Sequence, residues 1–489
     1  MSVSNLSRAL WLHQQGNLQE ALYAYGDAIA QQPTDPIPLN NRALVLKALG
    51  RLDEAQQDYD RCLALEEHPQ TRSNRGVLLH EMRQYREALA DHDLALAIEP
   101  SYAQGHYNRG NTLQALRRLE ESVAAYDECL RLAPEFAPAH VNRADALRDL
   151  ALFPEALHSY DQAVKLAPDI PDARFNRSAL LLMLGQLREG FTDYEWRWNR
   201  GDLQRHRRSF DKPLWLGAES LTGKTVLLHA EQGWGDTLQF CRYATLVSGL
   251  GARVIMECPA PLIGLLQSLE GVDVLVPSGK APPRFDFHCP LGSLPLAFRT
   301  DVDTIPDQSP YLSADPSRIS RWKTVLGEKC FRIGICWQGQ PSRIDHGRSF
   351  PLMMFKAISD VPGVRLISLH KGAGEAQLNN PPPGMTVETL GPGFDEDGAF
   401  LDTAAVMKHC DLVITSDTAI AHLAGALGVP VWVALKFVPD WRWMLERSDS
   451  PWYPSMRLFR QPRDGDWESV FEEIAVAVRA LMSQQSPPQ

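Results

Sequence analysis

The chain of 489 residues has no long apolar run, and nowhere do the ~20 uninterrupted apolar residues of a membrane helix occur. Its first stretch, MSVSNLSRALWLHQQG, lacks a basic segment followed by an apolar core, so no secretory signal is expected. Positive charge is in deficit. Lys and Arg number 49 against 60 Asp and Glu, a net −11, which argues against a surface for duplex nucleic acid. The eight cysteines, at 62, 129, 241, 258, 289, 330, 336 and 410, form no Cys-x-x-Cys pair. The expectation is a reduced, cytoplasmic protein with buried thiols. With 44% hydrophobic and 22% charged residues the composition is ordinarily globular, which excludes a wholly disordered chain. The length calls for two or three domains.

What is present first is repetition. Pro100, Pro134 and Pro168 recur every 34 residues, and Asn-Arg pairs keep the same beat at Asn41-Arg42, Asn74-Arg75, Asn108-Arg109, Asn142-Arg143 and Asn176-Arg177. An acidic-then-small ladder runs through Glu20, Glu54, Glu87, Glu121, Glu155 and Glu189. An aromatic one runs through Tyr25, Tyr59, His92, Tyr126, Tyr160 and Tyr194. Three ladders in one register define a unit of two amphipathic helices. This resembles the tetratricopeptide repeat, with about six units over residues 5–200.

The tyrosines are expected between neighbouring helices as core, and the Glu positions are expected in solvent. The asparagines are less ordinary, because Asn is a mediocre helix former that returns midway along five first helices. Two readings stand. If first helices line a concave face, as the resemblance implies, Asn41, Asn74, Asn108, Asn142 and Asn176 form a ladder of amides that can bond an extended peptide backbone. Alternatively each Asn bonds a neighbouring helix. The last unit, ending in Trp196-Arg197-Trp198, is richer in aromatics and is expected to cap the stack or dock onto something else. The Arg-rich stretch after it, with Arg205, Arg207 and Arg208, reads as a junction, with phosphate binding as the alternative.

From Lys224 the texture changes. Thr225–His229, Arg253–Glu257 and residues 272–276 read as buried strands between helices. After a Pro-rich segment at 277–310 the pattern restarts with Phe331–Trp337, 364–369, 412–415 and 431–435. Two such blocks predict two doubly wound α/β lobes, whose ligands belong outside the carboxyl ends of the strands. Two facing lobes make a cleft suited to a nucleotide-linked substrate.

The first loop at such an end is Gln232-Gly233-Trp234-Gly235-Asp236. Its plain reading is that Asp236 caps the next helix, and it is no full dinucleotide fingerprint. The second carries Gln338, Gly339, Arg343, His346 and Arg348. Its cations can neutralise a diphosphate with the two-pronged geometry of arginine. The third is short and holds Lys371, Gly374 and Glu375. The fourth, Ser416-Asp417-Thr418, opens a helix of small residues whose N-terminus suits a phosphate. There Asp417 and Thr418 can equally be caps, and His422 either faces the cleft or is a satisfied buried histidine.

Together Asp417-Thr418-x-x-x-His422-Leu423-Ala424-x-Ala426-Leu427-Gly428-x-Pro430, the Gly235-Asp236 loop and the Arg348-x-Phe350-Pro351 loop resemble glycosyltransferase family nine, the heptosyltransferase-like enzymes. Fusion to repeats resembles repeat-bearing bacterial glycosyltransferases, with an architecture similar to protein O-GlcNAc transferase. The resemblance implies an α-solenoid at 1–200, a junction at 201–220, and a B-type, double Rossmann-like glycosyltransferase domain. Its acceptor-side lobe would span 221–315 and its nucleotide-sugar lobe 316–489. It implies an inverting transfer with no metal and no cofactor beyond the nucleotide sugar. Asp236 would be the general base, with Gln232, Gly233, Trp234 and Gly235 as the acceptor-side loop. Gln338, Gly339, Arg343, Arg348, Glu375, Asp417, Thr418 and His422 would bind the donor. Arg348 stands where the family usually has Lys, keeping the charge. The segments Asp440-Trp441-Arg442-Trp443-Met444 and Ser450–Pro454 resemble the repeat-fused subgroup, and their tryptophans are expected in packing.

Two classes of function follow. One is an enzyme whose array recruits a polypeptide, such as a surface or flagellar protein, or which acts on a lipid-linked glycan or polysaccharide. The other is a repeat scaffold whose lobes only sense nucleotide sugar. Neither needs nucleic acid or a membrane span.

Overall fold

The computed structural model describes residues 4–204, 207–328, 330–340 and 347–485, and divides into two compact units, Met1–Arg177 and Ser178–Gln489. The division falls inside a helix, whereas the sequence placed the end of the array at 200. No helix among the described residues is long and apolar enough to cross a membrane.

The first unit is a run of antiparallel helix pairs: α1 (Asn5–Gln14), α2 (Leu18–Gln31), α3 (Pro36–Ala48), α4 (Leu52–Leu65), α5 (Pro69–Glu81), α6 (Tyr85–Ile98), α7 (Ala103–Ala115), α8 (Leu119–Leu132), α9 (Ala137–Asp149) and α10 (Phe153–Leu166). The next pair, α11 (Pro171–Met183) and α12 (Leu187–Tyr194), leads out of it. Proline in the first turn starts α3, α5 and α9, where its missing N–H costs nothing. The tight turn inside each pair needs one left-handed residue. It is supplied by Gly16, Gly50, Arg83, Arg117, Ala151 and Gly185, all with φ between 59° and 80°.

The aromatic ladder lies inside. Tyr25, Tyr59, His92, Tyr126 and Tyr160 are fully buried. Small residues on the facing helix make room for them: a Cβ on Gly76 would sit 2.5 Å from His92 Cε1, and one on Gly110 2.5 Å from Tyr126 Cε1. The arginines of the Asn-Arg pairs hold second helices. Arg42 bonds Asp58 and Arg75 bonds Asp91 at 2.6 Å, while Arg109, Arg143 and Arg177 reach back to Asp93, Asp127 and Asp161 at 2.6–2.7 Å.

The second unit holds two sheets. The first comprises β1 (Thr225–His229), β2 (Arg253–Cys258), β3 (Val274–Pro277) and β4 (Phe287–Pro290), all parallel, in the order β3-β2-β1-β4. Strand β4 lies within the stretch read only as Pro-rich, its four residues being too few to show a pattern. The second sheet has β5 (Phe331–Cys336), β6 (Val364–Ser368), β7 (Val387–Glu388), β8 (Leu412–Ser416), β9 (Val431–Leu435), β10 (Asp449–Ser450) and β11 (Tyr453–Arg460), in the order β10-β11-β9-β8-β5-β6-β7. All its pairings are parallel except β10 with β11. The C-terminal region is thus α/β, with parallel sheets as expected. Helix Trp467–Gln485 covers the second sheet, laying Trp467, Phe471, Ile474 and Val478 against Ile333, Ile335, Leu412 and Ile414.

The stretch read as a junction contributes to the first sheet. Phe210 packs against the core of Leu227, Ile255 and Val276, and Leu214 bridges His288. Arg208 is ion-paired with the buried Glu257. That pairing accounts for its charge without a phosphate. Arg205 lies outside the described residues.

Candidate functional site

Chain direction across the sheets reverses beside β1, flanked by β2 and β4, and beside β5, flanked by β6 and β8. At such switch points the loops after neighbouring strands part and leave a crevice. The loops after β1, β5, β6 and β8 all line one cleft of about 800 Å³, together with Asp395, Glu396, residues 398–400, Thr403, Asp440 and Arg442.

From the first sheet come Gly233, Trp234, Gly235 and Asp236. Asp236 does cap its helix: one carboxylate oxygen accepts from the Gly233 N–H at 3.0 Å. The other is ion-paired with Arg442 Nη2. Arg442 is further fixed by Asp440 Oδ1 at 2.8 Å and by Gln239 Oε1, from the same helix as Asp236, at 2.6 Å. Gln232 points elsewhere, donating to Tyr194 Oη at 2.7 Å.

From the second sheet come Gln338, Gly339, Arg348, Asp417, Thr418 and His422. The Arg348 guanidinium lies over Gly339, where a Cβ would sit 3.0 Å from Nη2. Gly374 packs on Gln338, with φ of 90° and only 2.3 Å between its would-be Cβ and Gln338 Oε1, so any other residue there would strain the backbone and displace the Gln338 amide. Burial and the nearby Asp440 carboxylate push the Asp417 carboxyl up to about 6, against the pull of Arg442 and Arg348. Thr418 occupies the cap position of helix Ala419–Ala426 but makes no capping bond, and its hydroxyl lies 3.2 Å from that of Thr415.

His422 answers to both of its readings. It is buried, with Nδ1 2.8 Å from Tyr453 Oη and its ring stacked 5.4 Å from Trp443, yet it lines the cleft. Burial, aided by the charges of Arg442 and Arg242, holds its pKa well below the ordinary range, so the ring is neutral. Glu375 opens instead onto a neighbouring cavity of about 540 Å³ that shares Lys371 with the cleft, and its carboxylate accepts from the Gly372 N–H at 3.1 Å. Arg343 lies outside the described residues.

Some lining groups escaped the sequence reading. Lys371 sits on the short loop after β6, and its Nζ donates to Phe394 O at 2.6 Å. Arg442 lies in a segment whose tryptophans point only to packing. Its position 206 residues beyond Asp236 conceals that the two are partners. Phe400, left-handed at φ 65°, meets the Trp234 ring edge-on at 5.6 Å across the cleft, and no local pattern signals it.

The asparagines of the first unit are half-buried and bond backward along the first helices. Asn74 Nδ2 donates to Asn40 Oδ1 at 3.3 Å, and Asn108 Nδ2 to Ser73 Oγ at 2.9 Å. Asn142 Nδ2 donates to Tyr107 Oη and Asn111 Oδ1 at 3.0 and 2.8 Å, and Asn176 Nδ2 to both oxygens of Asp145 at 3.2 Å. Asn41 accepts from Asn40 at 3.3 Å. The inter-helix reading describes the bonds of Asn74, Asn108, Asn142 and Asn176.

The tetratricopeptide repeat family matches residues 24–57, 103–136 and 141–195. The chain carries tetratricopeptide repeats. A curated relative, Protein FlbA of Caulobacter vibrioides, is 29% identical over 324 residues, covering 61% of this chain and 53% of that protein. The chain therefore spans about half the length of the curated relative it matches. Among solved structures, MamA 41-end from Desulfovibrio magneticus RS-1 is 22% identical, covering 34% of this chain and 94% of that one, with a TM-score of 0.32. Pseudomonas aeruginosa pilF is 18% identical, covering 41% and 89%, with a TM-score of 0.36. Arrays of such repeats stack into extended concave surfaces for protein partners.

Proposed function

We propose that this chain is an inverting, metal-independent glycosyltransferase of B-type fold. It would take a nucleotide sugar into the cleft and transfer the sugar to a polypeptide recruited by the repeats. The observation that carries this reading is the convergence of Asp236, Arg348, Asp417 and His422 on one cleft at two switch points. In the proposed reaction Asp236 takes the acceptor proton as the acceptor oxygen attacks the anomeric carbon. The bond from that carbon to the diphosphate breaks, and Arg348 and the start of helix Ala419–Ala426 receive the leaving charge. Arg442 orients the Asp236 carboxylate, and neutral His422 offers a hydrogen bond rather than a charge. The eight free cysteines suit a reducing cytoplasm.

The sensing scaffold is the second reading. Both Asp236 oxygens already have a partner, Gly233 N–H and Arg442, so an acceptor hydroxyl has to reach the remaining lone pair of one of them. Incubation with UDP-, GDP-, dTDP- and ADP-sugars separates the two. Donor consumption that disappears in Asp236→Ala supports the enzyme. Nucleotide binding without turnover, whatever acceptor is added, supports the sensor.

A further inference from the structure

Helix α12 and the 3₁₀ turn Glu195–Asn199 that continues it hold a buried charge cluster in the second unit. Arg197 is 1% exposed. Its guanidinium donates to Glu195 Oε1 at 2.6 Å, to Tyr194 O at 3.2 Å, to Ser293 Oγ at 2.7 Å, and to both oxygens of Glu231 at 3.1 and 3.2 Å. Ser293 in turn donates to Glu195 at 2.8 Å. Room for Glu231 depends on Gly292, where a Cβ would lie 2.5 Å from Glu231 Oε1.

A desolvated arginine is a poor way to gain stability, since an apolar residue fills the same space without losing hydration. Its use is geometric: a planar fork with every nitrogen engaged admits one arrangement of its partners. One of those partners, Ser293, lies on the turn after β4, and another, Glu231, begins the loop that reaches Asp236. The neighbouring Gln232 is tied to Tyr194 Oη at 2.7 Å. The same helix end also meets the other arm of the site. Phe191 and Tyr194 pack on Trp441 with ring centres 5.6 and 6.5 Å apart, and Trp441 precedes the Arg442 that pairs with Asp236.

We propose that Tyr194 and Arg197 are positioning residues for the Asp236–Arg442 pair, holding the Glu231–Asp236 loop and the Trp441–Trp443 turn at one fixed separation. The proposal rests on the transferase reading. Neither residue touches the cleft, so both act through the loops they hold.

Tyr194→Phe in the full chain carries the test, because it removes one hydroxyl and leaves the buried charge paired. Amide hydrogen exchange at 233–237 is expected to speed up about tenfold while the β2 amides keep their rates. With a nucleotide sugar, kcat is expected to fall about tenfold at unchanged donor KM, as misplacement of a reacting group does. Arg197→Lys, which keeps the charge and loses the fork, is expected to move both readouts the same way. Unchanged exchange overturns the proposal, and so does faster exchange with wild-type kcat, which would make the cluster a prop only. If the wild-type protein consumes no nucleotide sugar, the transferase reading fails, and the exchange measurement still decides whether the loop is held.

Discussion

Asp236 and Arg442, 206 residues apart in the chain, face each other as an ion pair in the wall of one cleft. The pair joins a loop of the first sheet to a turn within the connection from β9 to β11 in the second, and its acid also caps a helix. Stability and chemistry are therefore superimposed on one carboxylate, and two substitutions pull them apart.

Asn keeps an oxygen to accept the Gly233 N–H but loses the charge that faces Arg442, whereas Ala loses both contacts. Asp236→Asn is therefore expected to lower the melting temperature less than Asp236→Ala, and both are expected to lower donor turnover by ~10²–10⁴, the usual contribution of a general base. Calorimetric melting alongside donor consumption checks this, and an Asn variant with wild-type turnover would remove Asp236 as the base.

Arg348 lies over Gly339 beside the start of helix Ala419–Ala426, where a diphosphate would meet a charge and a helix end together. Hydrogen bonds to charged groups are worth ~1.5–3 kcal/mol, so Arg348→Ala should weaken nucleoside diphosphate binding by about ten- to a hundredfold. Arg348→Lys should recover part of it as a point charge without the fork. Titration calorimetry with UDP, GDP, dTDP and ADP measures both, and equal affinity in all three proteins would place the phosphates elsewhere.

The repeats were legible because one physical unit is written about six times over, so each turn, pair and aromatic is seen against its copies. The strands at the sheet centres were legible as apolar runs, and the loops after them follow from the sheet rule alone. What stayed hidden is what a single occurrence conceals. Strands β4 and β7 are too short for a pattern, and β11 carries Pro454 and alternates irregularly between core and solvent. The partnership of Asp236 with Arg442, and of Trp234 with Phe400, depends on how two sheets meet, which no local window records.

Asp417 gives the cleft a pH dependence. Its carboxyl is raised by burial and by Asp440 from 3.8 to about 6, so the folded state binds a proton more readily than the unfolded chain. Stability from this group is then greatest below the unfolded value and falls as pH climbs through about 6. Asp417→Asn should flatten that slope. Nucleotide-sugar binding should tighten as pH falls through the same window in the wild type, because protonation removes an anion beside the diphosphate. Binding curves and melting temperatures at stepped pH test this, and identical slopes in both proteins would refute it.

The turn inside each helix pair yields a prediction from backbone alone. Ala151 holds φ of 60° where Gly16, Gly50 and Gly185 hold 74–80°. A side chain in the left-handed region costs ~1–2 kcal/mol, partly offset by the greater unfolded freedom of glycine, ~0.4–1 kcal/mol. Ala151→Gly should therefore stabilise by about 0.5 kcal/mol, and Gly50→Ala should destabilise by a similar amount. Denaturant midpoints read both signs, and a destabilised Ala151→Gly would mean that this Cβ makes a contact outweighing its strain.

The asparagine ladder can serve the stack and a ligand at once, because an amide that bonds a neighbour through Nδ2 still has a carbonyl to offer. Asn142→Ala removes two half-buried bonds, to Tyr107 and Asn111, while Asn108→Ala removes one half-buried bond to Ser73 and one exposed bond from Gln104. Each net bond is worth ~0.5–1.5 kcal/mol and least where water can replace it, so Asn142→Ala should lower the unfolding midpoint more than Asn108→Ala. For an unfolded peptide, the double variant should bind about tenfold more weakly if two amides reach the backbone, the loss of roughly one net bond or more. Binding must be measured well below both midpoints, so that lost affinity is not lost fold. Lower midpoints with unchanged peptide affinity would make the ladder a seam between repeats and nothing more.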